Sequence, residues 1–252
     1  MAELNSNSID YGIGSQCSVN WRPGTENGEA TMFQENWVHG KTGACGFEKP
    51  FSGEASGMFA AVGGQDWTSG LGCGACAELE YQGNTVTVNV VDRCGGCSKG
   101  WFDLGGPAWR ALTGGQAPGH VYGVRSRWVS CPGSLTGGRN LQLYVKPGSH
   151  AWDARFQPTH HNRPVKEMYI DGGKGWQRMR KCENFMFCKP QGLTLNGQFS
   201  LRVVSEGNID VKVGDTMVQY STVQDRQYST VQYSTVTVQD RQYSTVQYST
   251  VQ

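Results

Sequence analysis

The 252-residue chain has no long apolar run, no excess of either charge and little charge at all: charged residues make up 17% and the formal net charge is +1. The first absence removes a membrane-spanning helix, which needs about 20 consecutive apolar residues. The second removes the basic footprint of a protein that binds nucleic acid or an acidic membrane surface. There is no phosphate-binding glycine loop, dinucleotide fingerprint or Ser-His-Asp order, so no cofactor is implied. Helical punctuation is scarce too. One short helix is predicted over 107–114, with Pro107 at an early position and Gly114 after its end. The opening Met-Ala-Glu-Leu-Asn-Ser-Asn-Ser holds no apolar run able to act as a signal peptide.

What is abundant is glycine and cysteine. Gly occurs 35 times, about twice the usual share, which points to a turn-rich all-β protein with short strands. Nine cysteines suit a secreted, disulfide-bonded chain, and secretion is inferred from them rather than from an address. An odd number leaves one over. Cys17, in the irregular N-terminal stretch, is the candidate; Cys45, Cys73, Cys76, Cys94, Cys97, Cys131, Cys182 and Cys188 are assigned to disulfides, with Cys182 and Cys188 stapling a loop. The spacing of Cys73, Cys76, Cys94 and Cys97 also fits a four-cysteine zinc site, but that would orphan Cys45 and Cys131 in the same glycine-rich half.

The chain divides by rhythm. Residues 1–26 form a polar leader, 27–133 a compact β-barrel, 134–138 a Ser/Thr/Gly linker and 139–213 a small β-sandwich of hairpins. In the barrel a hairpin is expected across Gly83-Asn84; in the sandwich, turns are expected at 171–175, at Asn196-Gly197 and at 206–208. Residues 214–252 repeat Gln-Tyr-Ser-Thr-Val and read as a low-complexity tail too simple to encode a site. His160-His161 and the carboxylates Asp171 and Asp210 complete no metal-ligand set, and the paired histidines read as polar loop.

Chemistry concentrates between Val86 and Leu104. Val86, Val88 and Val90 alternate with Thr87 and Asn89 as a strand, and Asp92 falls where the alternation stops. Asp103 follows Trp101-Phe102 directly, and an apolar setting raises a carboxyl pKa, as a general acid requires. Two carboxylates in different surroundings suit a site that acts on sugar polymers. Both also fit plain turn or cap roles.

The order of motifs resembles the expansins. Gly-Glu-Ala-Thr31-Met-Phe33, Gly-Ala-Cys45-Gly-Phe, Cys73-Gly-Ala-Cys76, Val-Val-Asp92-Arg-Cys94-Gly-Gly-Cys97 and Trp101-Phe-Asp103-Leu succeed one another at expansin spacing, and Val145-Lys-Pro-Gly-Ser-His-Ala-Trp152 resembles the opening of the expansin carbohydrate-binding domain. The resemblance implies a six-stranded double-psi β-barrel, as in family 45 endoglucanases and barwin-like proteins, followed by an immunoglobulin-like sandwich. A barwin-type protein would lack the second domain. The resemblance places Thr31, Asp92 and Asp103 along an open groove, with Phe33 on the same segment and Trp101 where plant members carry His. It places Trp152 on an aromatic platform, with Phe156 and Phe185 as candidates for its remaining positions. The implied activity is non-hydrolytic loosening of cellulose and other plant-type cell-wall polysaccharides by an extracellular monomer without cofactor, metal, nucleic-acid or membrane partner. The alternative is an inverting endo-β-1,4-glucanase with Asp103 as acid. Its base would be Glu35, four residues after Thr31, where expansins lack a carboxylate; Glu35 equally fits a solvated loop acid.

Overall fold

A computed structural model describes residues 24–34, 43–47, 57–68, 72–136, 141–146, 148–182, 185–195, 198–205 and 210–217. Glu35, Cys17, the turns at 196–197 and 206–208, and the repeats beyond Met217 lie outside them.

The first half closes into a barrel. Strands β1 (Thr25–Gln34), β2 (Phe59–Val62), β3 (Cys76–Tyr81), β4 (Asn84–Arg93), β5 (Trp101–Gly105) and β6 (His120–Val129) pair in the order β1-β5-β2-β4-β3-β6. Alternation decides which side chains fill it. Ala30, Ala60, Val62, Val88, Val90, Phe102, Leu104 and Val124 point inward and are fully buried, so their neighbours Thr31, Ala61 and Asp103 belong to the outer face. The helix Gly106–Thr113 starts with Pro107 in its first turn and ends at Gly114, and its Trp109 and Leu112 join the same core. The β3–β4 turn falls at Gln82-Gly83, one residue earlier than the Gly83-Asn84 expected. Both residues have positive φ (49° and 84°), the pairing a type I′ hairpin demands.

The predicted linker is partly helical, because Gly133–Thr136 forms one turn whose Leu135 packs against Cys76 and Cys131. Beyond it, β7 (Gln142–Val145), β8 (Arg155–Thr159), β11 (Arg180–Lys181) and β12 (Phe187–Cys188) make one sheet. The other contains β9 (Val165–Asp171), β10 (Gln177–Arg178), β13 (Gln198–Ser205) and β14 (Asp210–Met217). Leu143, Phe156, Met168, Ile170, Phe187, Phe199 and Leu201 fill the space between them. Residues 193–195 are not the hairpin strand expected. Leu193 and Leu195 are buried in this core without joining a ladder, and the Leu195 N–H donates to the Ala151 carbonyl.

Four disulfides close within the described residues: Cys45–Cys73, Cys76–Cys131, Cys94–Cys97 and Cys182–Cys188. The four cysteines of the zinc-like spacing thus go to three different bridges, and none is left as a thiolate ligand. The barrel and sandwich meet at a polar-apolar seam. Gln157 Nε2 donates to the Cys45 carbonyl at 2.7 Å, and the Cys131 N–H donates to the Asn162 carbonyl at 2.7 Å. His161, read from sequence as polar loop, is buried there. Its ring lies against Phe185, and a Cβ added to Gly74 would stand 2.1 Å from its Cε1. Gly74 also has φ +78°, so this position is closed to other residues both by conformation and by the imidazole.

Candidate functional site: an outer row across the barrel

Strand register lines up the polar residues of the barrel's outer face. His120 on β6 pairs with Thr31 on β1, Thr31 with Asp103 on β5, Asp103 with Ala61 on β2, and Ala61 with Asp92 on β4. One row across five strands therefore carries Thr31, Asp103 and Asp92, with the small Ala61 as floor between the two acids. With neighbouring strands about 4.8 Å apart, the backbones of Asp103 and Asp92 are about 10 Å apart.

Hydrogen bonds set the polarity of this row. The Trp101 indole Nε1–H donates to Thr31 Oγ1 at 2.9 Å, so the Thr31 hydroxyl directs its own proton to Asp103 Oδ1 at 2.5 Å. Asp103 is half-buried on the barrel wall, and that burial pushes its carboxyl above the ordinary carboxylate value. The Thr31 hydrogen bond and the nearby His120 imidazole pull the other way without cancelling it. Asp103 thus has one oxygen engaged as an acceptor and a raised affinity for a proton on the carboxyl.

Asp92 is held differently. Its Oδ1 accepts the backbone N–H of Arg93 at 2.7 Å and that of Ala44 at 2.6 Å. It fixes the 43–47 loop, which Cys45 ties to Cys73, over the end of the row. Phe33 is half-buried, edge-on to the core ring of Phe59 with centroids 5.6 Å apart.

The platform candidates separate. Trp152 is 72% exposed, in the turn before β8. It borders an open depression of about 340 Å³ with Arg155, Arg180 and Lys189. Phe156 is 2% exposed and packs edge-on against Phe199 in the sandwich core, so it offers no face to a ligand. Phe185 sits in the seam between Phe47, Phe187 and His161, and the Lys181 ammonium lies 5.0 Å from its ring centroid. Phe156 is corrected from platform to core, whereas Phe185 is half-buried in the seam. Sequence reasoning also missed residues on the open face. Glu29, His120 and Tyr122 stand beside Thr31 and Trp101, but no local motif marks them. Among the described residues no group of three or more His, Cys, Asp or Glu could hold a metal ion, and no helix is long and apolar enough to cross a membrane.

A closed six-stranded barrel with an acid-bearing outer row, followed by a two-sheet domain, defines the general class. No family model matches the chain. Expansin-B6 of Arabidopsis thaliana is 26% identical over 223 residues, covering 80% of this chain and 83% of that protein. The apo structure of the Clavibacter michiganensis expansin aligns with a TM-score of 0.63 at 24% identity, covering 74% of this chain and 88% of that one. A mutant of the same bacterial expansin, solved in complex with cellohexaose, aligns at 0.62 and 23% identity over the same shares. The chain is thus similar to expansins in sequence, and its fold is shared with the bacterial expansin.

Proposed function

We propose that this chain is a secreted, non-hydrolytic cell-wall-loosening protein that binds cellulose-type glucans along the outer row of the barrel and on Trp152. The observation that carries the reading is the directed series Trp101–Thr31–Asp103, which ends on a carboxyl of raised proton affinity on the barrel's outer face. The expansin relatives support a wall polysaccharide as target, and the cellohexaose held by the bacterial neighbour supports a β-glucan chain as the ligand. Four disulfides suit an extracellular site of action.

In this mechanism protonated Asp103 donates a hydrogen bond to a glucan oxygen, while Thr31 holds the carboxyl in place. The donated bond replaces one between neighbouring polysaccharide chains, and Trp152 keeps the protein on the insoluble surface by stacking. No covalent bond changes. Inverting hydrolysis would need a second carboxylate about 6.5–9.5 Å from the acid, free to activate water. Asp92 is the acid the row supplies, and its Oδ1 is committed to two backbone N–H groups.

Reducing-sugar release from amorphous cellulose, mixed-linkage glucan and xyloglucan, run beside a paper-weakening assay, tests the reading. Weakening without new reducing ends is expected. Sustained sugar release that disappears in Asp103→Asn would replace it with an endo-β-1,4-glucanase.

A further inference from the structure

The outer face carries a second row beside the first. Trp101 on β5 pairs with Glu29 on β1, and Glu29 with Tyr122 on β6, two residues along from Asp103, Thr31 and His120. His120 leans back into this row. Its Nε2 lies 2.7 Å from Glu29 Oε2, and its ring is sandwiched between Trp101 (centroids 4.7 Å apart, 25° between planes) and Tyr122 (4.3 Å, 22°). Three flat rings thus stack in series, beginning at the indole that hydrogen-bonds Thr31. The stack ends in the open. Tyr122 is 66% exposed although one of its faces is covered by His120.

A core function does not explain this arrangement. Core aromatics bury their rings, whereas Tyr122, the most exposed large aromatic among the described residues of the barrel, stands open with two rings stacked behind it. Glu29 and His120 are each about 30% exposed at the side chain, and among the described residues Glu29 Oε1 has no hydrogen-bond partner. A rigid aromatic face beside a carboxylate oxygen suits a pyranose ring. The ring's axial C–H groups lie on the face and an equatorial hydroxyl reaches the acceptor.

We propose that Tyr122 and Glu29, braced by His120 and Trp101, form a further sugar subsite at the β6 end of the barrel face, which takes one glucosyl unit of a β-linked glucan extending beyond Thr31. The proposal rests on the groove reading above and adds to it a direction: the chain leaves the Asp103–Thr31 contact toward β6. Equatorial hydroxyls leave both faces of a glucosyl ring free to stack, and an axial hydroxyl obstructs one of them, so the subsite favours glucans over galactans.

The test is calorimetric titration of the full chain with cellohexaose, comparing Tyr122→Ala, Tyr122→Phe and Glu29→Gln, with melting temperatures measured alongside. Loss of one stacked ring weakens binding about tenfold in Tyr122→Ala. Tyr122→Phe keeps the face and stays within about twofold of the parent, which also separates loss of the ring from loss of the fold. Glu29→Gln falls between them. If the parent binds and Tyr122→Ala binds equally well, the subsite is refuted and the groove reading stands. If the parent binds neither cellohexaose nor insoluble cellulose, the groove reading fails and takes the subsite with it.

Discussion

Acid should loosen the seam between barrel and sandwich through one residue. His161 is buried between Gly74 and Phe185, and burial lowers its pKa from the ordinary 6.5 to about 4, with His160 and Lys181 adding to the effect. The folded state therefore refuses a proton that the unfolded chain accepts. The seam's stability is whole above pH 6.5, declines as pH falls below that value, and the loss is complete near pH 4. The interval between 6.5 and about 4 corresponds to about 3 kcal/mol. That is a large part of the 5–15 kcal/mol that holds a typical domain. The assay is urea denaturation followed by tryptophan fluorescence at pH 7, 5.5 and 4.5, on the parent and on His161→Gln, which keeps a donor and cannot titrate. General acid effects cancel in the difference at each pH. Between pH 7 and 4.5 the parent should lose about 2.4 kcal/mol more than the variant. Parallel stability curves would refute the burial argument, since they would mean that His161 takes its proton equally well in both states.

Asp103 runs the opposite way. Its folded value is raised, so its contribution is fully present below 3.8 and is lost as pH rises through that raised value. Paper-weakening activity should accordingly be highest in acid and fall toward neutral pH. Asp103→Ala, which removes both the acceptor for the Thr31 hydroxyl and the donor to the glucan, should abolish the activity; a variant that is both active and pH-dependent would remove Asp103 from the site. Trp152→Ala should weaken partition onto insoluble cellulose about tenfold with the fold intact, because the side chain is exposed and takes no part in the core. Unchanged binding would remove it from the platform. The Cys76–Cys131 bridge spans 55 residues and ties the start of β3 beside the end of β6. Replacing both cysteines with serine should lower stability by about 4 kcal/mol on the loop-entropy account, read by urea denaturation at pH 7.

The parts of the molecule legible in the sequence are those whose signal is local. Val86, Val88 and Val90 fill the barrel because their period is that of a strand, and Pro107 and Gly114 bound the helix because each residue has one conformational use. The motif order also carried the closed barrel followed by a sheet domain. Where a residue's neighbours are distant in sequence, the same reading fails in a consistent direction. Phe156 and Phe185 had the composition of a platform, yet the pairing of Phe156 with Phe187 turns one into the core, and Phe47, some 140 positions earlier, draws the other into the seam. His161 looked like loop because nothing beside it is apolar enough to bury it; the surface that does so is Gly74, on the other domain.

Glu29, His120 and Tyr122 illustrate the same limit at the site itself. Asp103 was visible because Trp101 and Phe102 precede it in the chain, whereas Glu29 meets Trp101 only through the parallel pairing of β1 with β5, and meets His120 only through the closure of β1 onto β6. The separations are 72 and 91 residues. Closing the barrel is what makes these three strands neighbours, so the side chains that flank Thr31 have no common sequence motif. The first and last barrel strands build the β6 side of the site and the middle strands build the Asp92 side. A chain that exchanged Trp101 for another residue would therefore be felt on both: Thr31 would lose the donor that orients its hydroxyl toward Asp103, and the stack behind Tyr122 would lose its inner ring. Coupling of the two losses in a double-mutant cycle of Trp101 with Tyr122 would be non-additive by the 0.5–3 kcal/mol typical of residues in one network. Strict additivity would mean that the stack and the acid row act independently, and the glucan chain would not need to cross from one to the other.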